Sequence, residues 1–245
     1  MTEATLARSR ERTRKPMMTL SIDIGGTGLK ASIVDEAGTL TTDKVRIDTP
    51  VGAHPDEVVA VLVKLVAALP GYDRVSVGFP GMVRNGSVLT APNLGHDAWT
   101  GYALEHTLAK ALGKPTKIAN DADVQGLAAI SGKGVEMVIT LGTGFGTALY
   151  VDGKLAPHLE LAHLPFRKGE TFDEQLGERA RKEIGNEKWN KRVKKAIALL
   201  RVLTCFDRLY IGGGNAKRYS LELPRDVATS DNTAGIAGGA RLWSA

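Results

Sequence analysis

Two stretches of this chain follow one plan, and no other feature restricts its fold as strongly. Leu20 to Asp35 reads as an apolar strand, a Gly25-Gly26-Thr27-Gly28 turn, and a second apolar strand running back through Lys30. Ile139 to Gly153 repeats that plan, with Gly142-Thr143-Gly144 at the turn and Asp152-Gly153 at its far end. Glycines beside a threonine let backbone N–H groups converge on an anion with no Cβ in the way. Asp23 stands at the mouth of the first turn, where a carboxylate would hold a metal through water. No Gly-Lys-Ser/Thr follows that turn, and a strand rather than a helix comes next, so it is not a Walker loop. Taken alone, such a hairpin could equally use its glycines only to turn the chain. Two of them, one in each half, suggest a duplicated fold whose turns face one cleft.

The length of 245 residues suits one large domain or two small lobes, ample for a core. A net charge of +5 favours anionic ligands without implying nucleic acid. Aromatic content of 5% leaves little surface on which to stack bases. The single cysteine, Cys205, excludes an intramolecular disulfide and any multi-cysteine zinc site. A cytoplasmic enzyme fits these features. Residues 1–18 carry Arg8, Arg10, Arg12, Arg14 and Lys15 with almost no apolar residues, and are expected to form a disordered basic tail. The tail lacks the apolar core of a secretory signal, and no later run is long enough to span a membrane. It is also too short to hold a helix-turn-helix.

Between the hairpins, Thr39 to Ile47 can supply a third strand and Asp56 to Leu69 an apolar helix, punctuated by Pro55 and Pro70-Gly71. Arg74 to Phe79 reads as a buried strand entering a long loop, Pro80 to Trp99. Loops of that length in compact domains are often functional. This one holds an Asn85-Gly86 turn signal and Asn93, whose amide can both donate to and accept from a hydroxyl. A helix from Gly101 to Leu112 leads to a short strand, Thr116 to Ala119, which delivers Asn120-Asp121-Ala122-Asp123 at its carboxyl end. One Asn or Asp there would serve as the cap of the helix Val124 to Ile130. Three in four residues, where α/β sheets collect their ligands, point to catalysis. Further on, Phe172 to Ile184 reads as one helix, Gly185-Asn186 as a break, and Glu187 to Cys205 as the next helix. Arg208 to Ile211 is a strand, and Thr233 to Leu242 a small-residue helix. Lys188, Lys191, Arg192, Lys194 and Lys195 crowd the second long helix, either as a solvated face or as a track for a phosphate chain.

The paired hairpins resemble those of the actin-like ATPase and sugar-kinase superfamily. Within it, Asp23-Ile24-Gly25-Gly26-Thr27, Pro92-Asn93-Leu94, Asn120-Asp121-Ala122, Leu141-Gly142-Thr143-Gly144, Glu160-Leu161-Ala162-His163 and Gly212-Gly213-Gly214-Asn215 occur in the order seen in ROK-family sugar kinases. The resemblance spans nearly everything from Leu20 onward and is strongest to the polyphosphate glucokinases of that family. It implies an α/β fold of two ribonuclease-H-like lobes around a central cleft. The lobes would run 19–119 and 120–232, with a terminal helix, 233–245, packing back on the first. It implies phosphoryl transfer to a glucose-like sugar, with Asp121 as the base. Asn93, Asn120, Asp121, Glu160 and His163 would bind the sugar. Asp23, Gly25, Gly26, Thr27, Gly28, Lys30, Gly142, Thr143, Gly144, Gly212, Gly213 and Gly214 would surround the donor.

The cofactors implied are Mg²⁺ near Asp23 and ATP or polyphosphate as donor, without zinc. The partners implied are the hexose and a second copy of the chain in a homodimer, with no nucleic acid and no membrane. The alternative is a sugar-binding regulator or pseudokinase without phosphotransfer. Three departures bear on sugar identity. Ala162 replaces the family's glycine, Leu164 to Lys168 stand where many members carry zinc cysteines, and Asp123 stands where many have asparagine. Glu170 or Glu174 would have to replace a sugar-contacting glutamate from that cysteine-bearing loop.

Overall fold

A computed structural model describes residues 15–52, 54–92, 94–95, 97–230 and 234–244. The expected tail falls mostly outside these residues. Its end does not: Met17 N donates to Glu36 Oε1, and Met18 N donates to Asp73 Oδ2 at 2.8 Å.

The first half of the chain builds β1 (Thr19–Ile24), β2 (Leu29–Val34), β3 (Val45–Ile47), α1 (Pro55–Val66) and β4 (Arg74–Phe79). A small hairpin follows, β5 (Val83–Arg84) and β6 (Ser87–Val88), then α2 (Leu104–Leu112), β7 (Thr116–Asn120) and α3 (Asp121–Leu127). The second half adds β8 (Val135–Leu141), β9 (Phe145–Val151), β10 (Lys154–Leu155), β11 (Pro165–Arg167) and β12 (Glu170–Thr171). It ends with α4 (Phe172–Leu176), α5 (Glu178–Thr204), β13 (Arg208–Gly212), β14 (Val227–Thr229) and α6 (Ala234–Ala237).

Two five-stranded sheets result, ordered β3-β2-β1-β4-β7 and β10-β9-β8-β13-β14. Each has a glycine hairpin at its centre, an antiparallel neighbour on one side and two parallel strands on the other. The duplication legible in the hairpins therefore extends to the whole sheet order. This is the two-lobed actin-like ATPase and sugar-kinase fold.

Each lobe has its own core. Val58, Leu62 and Val66 of α1 and Leu104 and Leu108 of α2 join Ile22, Val77 and Phe79 of the first sheet. Trp189, Val193, Ala196 and Leu200 of α5 join Met137, Ile139 and Ile211 of the second. Helix α3 lies at the joint. Val124 and Leu127 share a cluster with Val138 and Tyr150 of the second sheet, and Tyr150 Oη donates to the Asp123 carbonyl.

Two helical expectations are corrected. Phe172 to Ile184 is not one helix, because α4 stops at Leu176 and Gly177 takes an extended ψ of 169°. Tertiary contact causes the early break: Glu178 N donates to Gly142 O and Thr143 O, which ties the start of α5 to the second hairpin turn. The break expected at Gly185 is present, since its φ of 78° interrupts the helical winding of α5. The terminal helix is likewise shorter than expected. Thr233 and Ala245 lie outside the described residues, and Ala234–Ala237 is α-helical before Gly238–Trp243 tightens into a 3₁₀ turn. Two adjacent glycines favour helix poorly, and here they permit close backbone contact instead.

That terminal segment ties the first sheet to α3. Ser76 Oγ donates to Gly239 O at 2.6 Å, and Trp243 Nε1 donates to Ser76 Oγ at 2.9 Å. Arg241 reaches the Leu127 and Ile130 carbonyls. A Cβ on Gly238 would collide with the Val124 carbonyl oxygen. Gly238→Ala is therefore expected to destabilise the protein by about 1–3 kcal/mol, as other overpacked sites do. A thermal melt reads this as a loss of about 2–4 °C per kcal/mol at this chain length. An unchanged melting temperature would mean that the segment does not dock as described.

Candidate active site

Strand β7 ends at Asn120 and α3 begins at Asp121, so the strand-to-helix turn presents Asp121 at the carboxyl edge of the first sheet. Asn120 caps the helix, its Oδ1 accepting from Ala122 N at 2.8 Å, while its Nδ2 donates to Gly81 O at 3.1 Å. One N–H and one lone pair of that amide remain for a ligand. Asp121 Oδ1 accepts from Ala122 N at 2.8 Å. Gly78 lets β4 approach closely, because a Cβ there would sit 3.3 Å from Asp121 Cα.

Three other carboxylates act on Asp121 through their charge. Burial above all, then the charge of Asp23, pushes the Asp121 carboxyl up to about 7; the Ala122 N–H opposes this, while Asp123 and Glu160 add to it. Asp23 comes from β1, Asp121 and Asp123 from α3, and Glu160 from the loop after β10. Lys30 does not reach out freely, since its Nζ is 3.0 Å from Asp23 Oδ2.

The first turn is closed by Gly25 N donating to Gly28 O and braced by Thr49 Oγ1 donating to Gly25 O at 2.5 Å. Gly26 and Thr27 are exposed. Arg46 lies over Gly28, where a Cβ would meet its Nε at 2.9 Å. This cation beside the turn was not singled out from sequence, because β3 carries no motif. In the second turn Gly142 N donates to Gly144 O, and Phe145 N donates to Asp173 Oδ1. Asn215 Nδ2 donates to Gly142 O and, at 2.7 Å, to Glu178 Oε2, bringing Gly212, Gly213 and Gly214 beside this turn. Gly213 takes a φ of 87°, and a Cβ there would collide with the Leu141 backbone. Among the described residues, the N–H groups of Gly26, Thr27, Thr143 and Gly144 have no protein acceptor, as an anion cradle requires.

Comparison with known proteins identifies the family. A model of the ROK family matches residues 19–159, more than half of the chain. The chain belongs to the ROK family. Polyphosphate glucokinase from Mycobacterium leprae (strain TN) is 31% identical over 245 residues, covering 91% of this chain and 74% of its own. Polyphosphate glucokinase from Mycobacterium tuberculosis (strain CDC 1551 / Oshkosh) is 32% identical over 240 residues, covering 89% and 88%. Among solved structures, the inorganic polyphosphate/ATP-glucomannokinase from Arthrobacter sp. strain KM superposes with a TM-score of 0.82 at 32% identity. That match covers 95% of this chain and all of the other. A ROK family glucokinase from Streptomyces griseus, in complex with glucose and AMPPNP, shares the fold with a TM-score of 0.76 at 20% identity, covering 92% of this chain and 98% of its own.

The rest of this ROK protein's site differs from the sequence expectation in emphasis. Asn93 lies outside the described residues. Ala162 sits in a 3₁₀ turn, Leu161–His163, with φ negative, so an alanine fits where the family has glycine. His163 is exposed on that turn. Phe166 of β11, in the stretch where many ROK members place zinc cysteines, packs on Phe172 with ring centroids 4.6 Å apart. Phe172 in turn stacks on Phe145 at 5.7 Å. Glu174 closes a capping box with Thr171, and Glu170 is exposed.

The buried imidazole is His158, which no motif signals. It lies between Asp123 and Glu160 and lines a cavity of about 350 Å³ with Arg84, Asn85, Asn120, Asp123 and Pro157.

An acid whose proton affinity is raised loses its anionic form as pH falls through its folded pKa. Chemistry that uses the Asp121 carboxylate should therefore decline about tenfold per pH unit below about 7. A kcat/KM profile measured at saturating donor checks this. A profile flat down to about pH 5.5 would remove Asp121 from the base role.

Proposed function

We propose that this protein is a hexose kinase that transfers a phosphoryl group from polyphosphate or ATP to a hydroxyl of a glucose-like sugar, forming the 6-phosphate. The observation that carries the reading is the position of Asp121. It is a recessed carboxylate with its proton affinity raised to about 7, within electrostatic reach of Asp23 at the first glycine turn and of Glu160.

In the proposed reaction a sugar hydroxyl lies against Asp121. As the new O–P bond forms, the donor's bridging P–O bond breaks, and the hydroxyl proton passes to an Asp121 carboxylate oxygen. Polyphosphate leaves one unit shorter, or ATP leaves as ADP. Because the transition state is loose, Asp121 contributes mainly by orienting the attacking oxygen. The free N–H groups of the two glycine turns and Arg46 would hold the donor's phosphate oxygens. Glu160, Asn120 and His163 would take the remaining sugar hydroxyls, and such pairing rejects analogues lacking one.

Among the described residues no cluster of three acidic, histidine or cysteine side chains could cage a metal. Mg²⁺ needs no such cage, since it keeps waters and takes phosphate oxygens beside one or two carboxylates. Asp23 fits that part, with Oδ1 free of any protein donor among the described residues and Oδ2 paired to Lys30. When bound, the ion would offset the negative charge of the phosphates.

Asp121→Asn keeps the shape and removes the proton acceptor. Turnover is expected to fall about 10²–10⁴-fold with sugar affinity largely kept. Turnover above about a tenth of wild type would place the base elsewhere.

The donor side has its own signature. Lys191 pairs with Glu187 at 2.7 Å, so part of the cationic run is neutralised locally. Arg192 faces Arg167 as well as Glu170 and Glu183, and Lys195 lies 5.8 Å from the centre of the Phe166 ring. A polyanion along this face would release counterions, so its apparent affinity should fall steeply with salt, and that of ATP less. Charge reversal at Lys191, Arg192 and Lys195 is expected to lower kcat/KM for polyphosphate selectively. Equal losses with both donors, or no polyphosphate use at low salt, would make this helix a solvated face and ATP the donor.

A further inference from the structure

His158 is buried, its side chain 8% exposed, and it touches two acids from different elements. Its Nδ1 is 3.0 Å from the carboxylate of Asp123 on α3, which is only 2% exposed. Its Nε2 is 3.4 Å from Glu160 Oε1, too long for a well-made hydrogen bond, and has no other partner among the described residues. We propose that His158 is a positioning residue: an imidazolium bridge that fixes the Glu160 carboxylate for the sugar and screens Asp121 from the charges of Asp123 and Glu160. The proposal rests on the kinase reading given above.

Three physical points support the bridge. A carboxylate as buried as Asp123 is costly without a cation, and His158 is the only cationic side chain bonded to it among the described residues. Burial alone would discharge the imidazole, yet the bond to Asp123 and the adjacent Glu160 carboxylate raise its pKa to about 10, so it is cationic at neutral pH. The contact at 3.4 Å is of the kind that tightens once a substrate engages the site. The bridge therefore runs from the base-bearing helix, through the loop after β10, to the sugar clamp.

The charges around it are few. Asp121 faces Asp23 from β1, which holds Lys30 of β2, Asp123 on its own helix, and Glu160 from the loop. Glu160 faces His158 and His163, whose charges and bond hold it below the usual carboxylate range against the effect of burial. Removing the imidazolium leaves two unscreened anions beside Asp121 and one orphaned carboxylate at the sugar.

The test compares wild type with His158→Gln, Asp123→Asn and the double variant, after thermal melts confirm that each folds. His158→Gln is expected to raise the sugar KM about tenfold or more, with a much smaller change in kcat at the optimum pH. The acid limb of its kcat/KM profile should move up by about one unit. In the double variant the limb should return towards wild type, because one of the unscreened anions is gone, while the sugar KM stays raised. A purely structural pair would not split in this way.

A folded His158→Gln enzyme with wild-type KM and an unmoved limb overturns the proposal. Should that variant not fold, nitrogen NMR of wild type decides. Both ring nitrogens of His158 should be protonated at about pH 8 and respond to added glucose, whereas a neutral tautomer overturns the bridge. A wild-type protein that phosphorylates no sugar but shows the doubly protonated His158 would refute the kinase reading alone. An active kinase with a neutral His158 would refute only the bridge.

Discussion

Like charges crowd the junction of the two lobes, and much of the site can be understood as the means of holding them there. Asp23, Asp121, Asp123 and Glu160 come from three separate parts of the chain, and each would lose solvation and gain repulsion on folding. Two cations share the compensation. Lys30 pairs with Asp23, and His158 spans Asp123 and Glu160. Asp121 is left without either, held only by the Ala122 N–H, and burial raises its carboxyl to about 7; burial also raises that of Asp123, against the His158 bond. A group left uncompensated among compensated neighbours is a strong physical sign of a functional carboxylate.

The scaffold makes this tolerable by close backbone packing. Gly78 admits the start of α3 against β4, and Gly238 admits the terminal segment against the same helix. Ser76, Trp243 and Arg241 then bind that segment to the first sheet and to the end of α3. Helix α3, which carries Asp121, is thus clamped from both sides, with Tyr150 of the second sheet holding its Asp123 carbonyl. In the proposed reaction such rigidity would matter, because orienting a hydroxyl requires a carboxylate that does not wander.

Local chemistry was legible in the sequence and tertiary chemistry was not. Both hairpins, and an Asn or Asp cap before a helix, could be read because a turn, a strand period and a cap are written in neighbouring residues. The helix itself starts three residues earlier than its expected Val124, at Asp121, because Asn120 is the residue that caps it. The break at Gly177 could not be read, since it depends on the Gly142 and Thr143 carbonyls far upstream. Arg46 and His158 were missed for the same reason. Each acquires its meaning from a partner outside its own stretch: Gly28 for one, Asp123 and Glu160 for the other. Ala162 was legible as a departure but not its consequence, which turns on a φ that only the folded loop displays.

The aromatic group at the second lobe shows how the loop without zinc cysteines keeps its shape. Phe145 directly follows the Gly142-Thr143-Gly144 turn, Phe166 lies in β11 just beyond the Leu161–His163 turn, and Phe172 opens α4. With centroids 4.6 Å apart in the tilted Phe166–Phe172 pair and 5.7 Å in the stacked Phe145–Phe172 pair, these three rings support the loop through buried area. A metal fixes a loop through directed bonds, whereas rings fix it through area and shape, so the replacement trades strict geometry for sensitivity to packing. Lys195 lies over Phe166, which places the cationic helix against the same cluster. The second glycine turn, the Leu161–His163 turn and the cationic helix thereby share one small hydrophobic support.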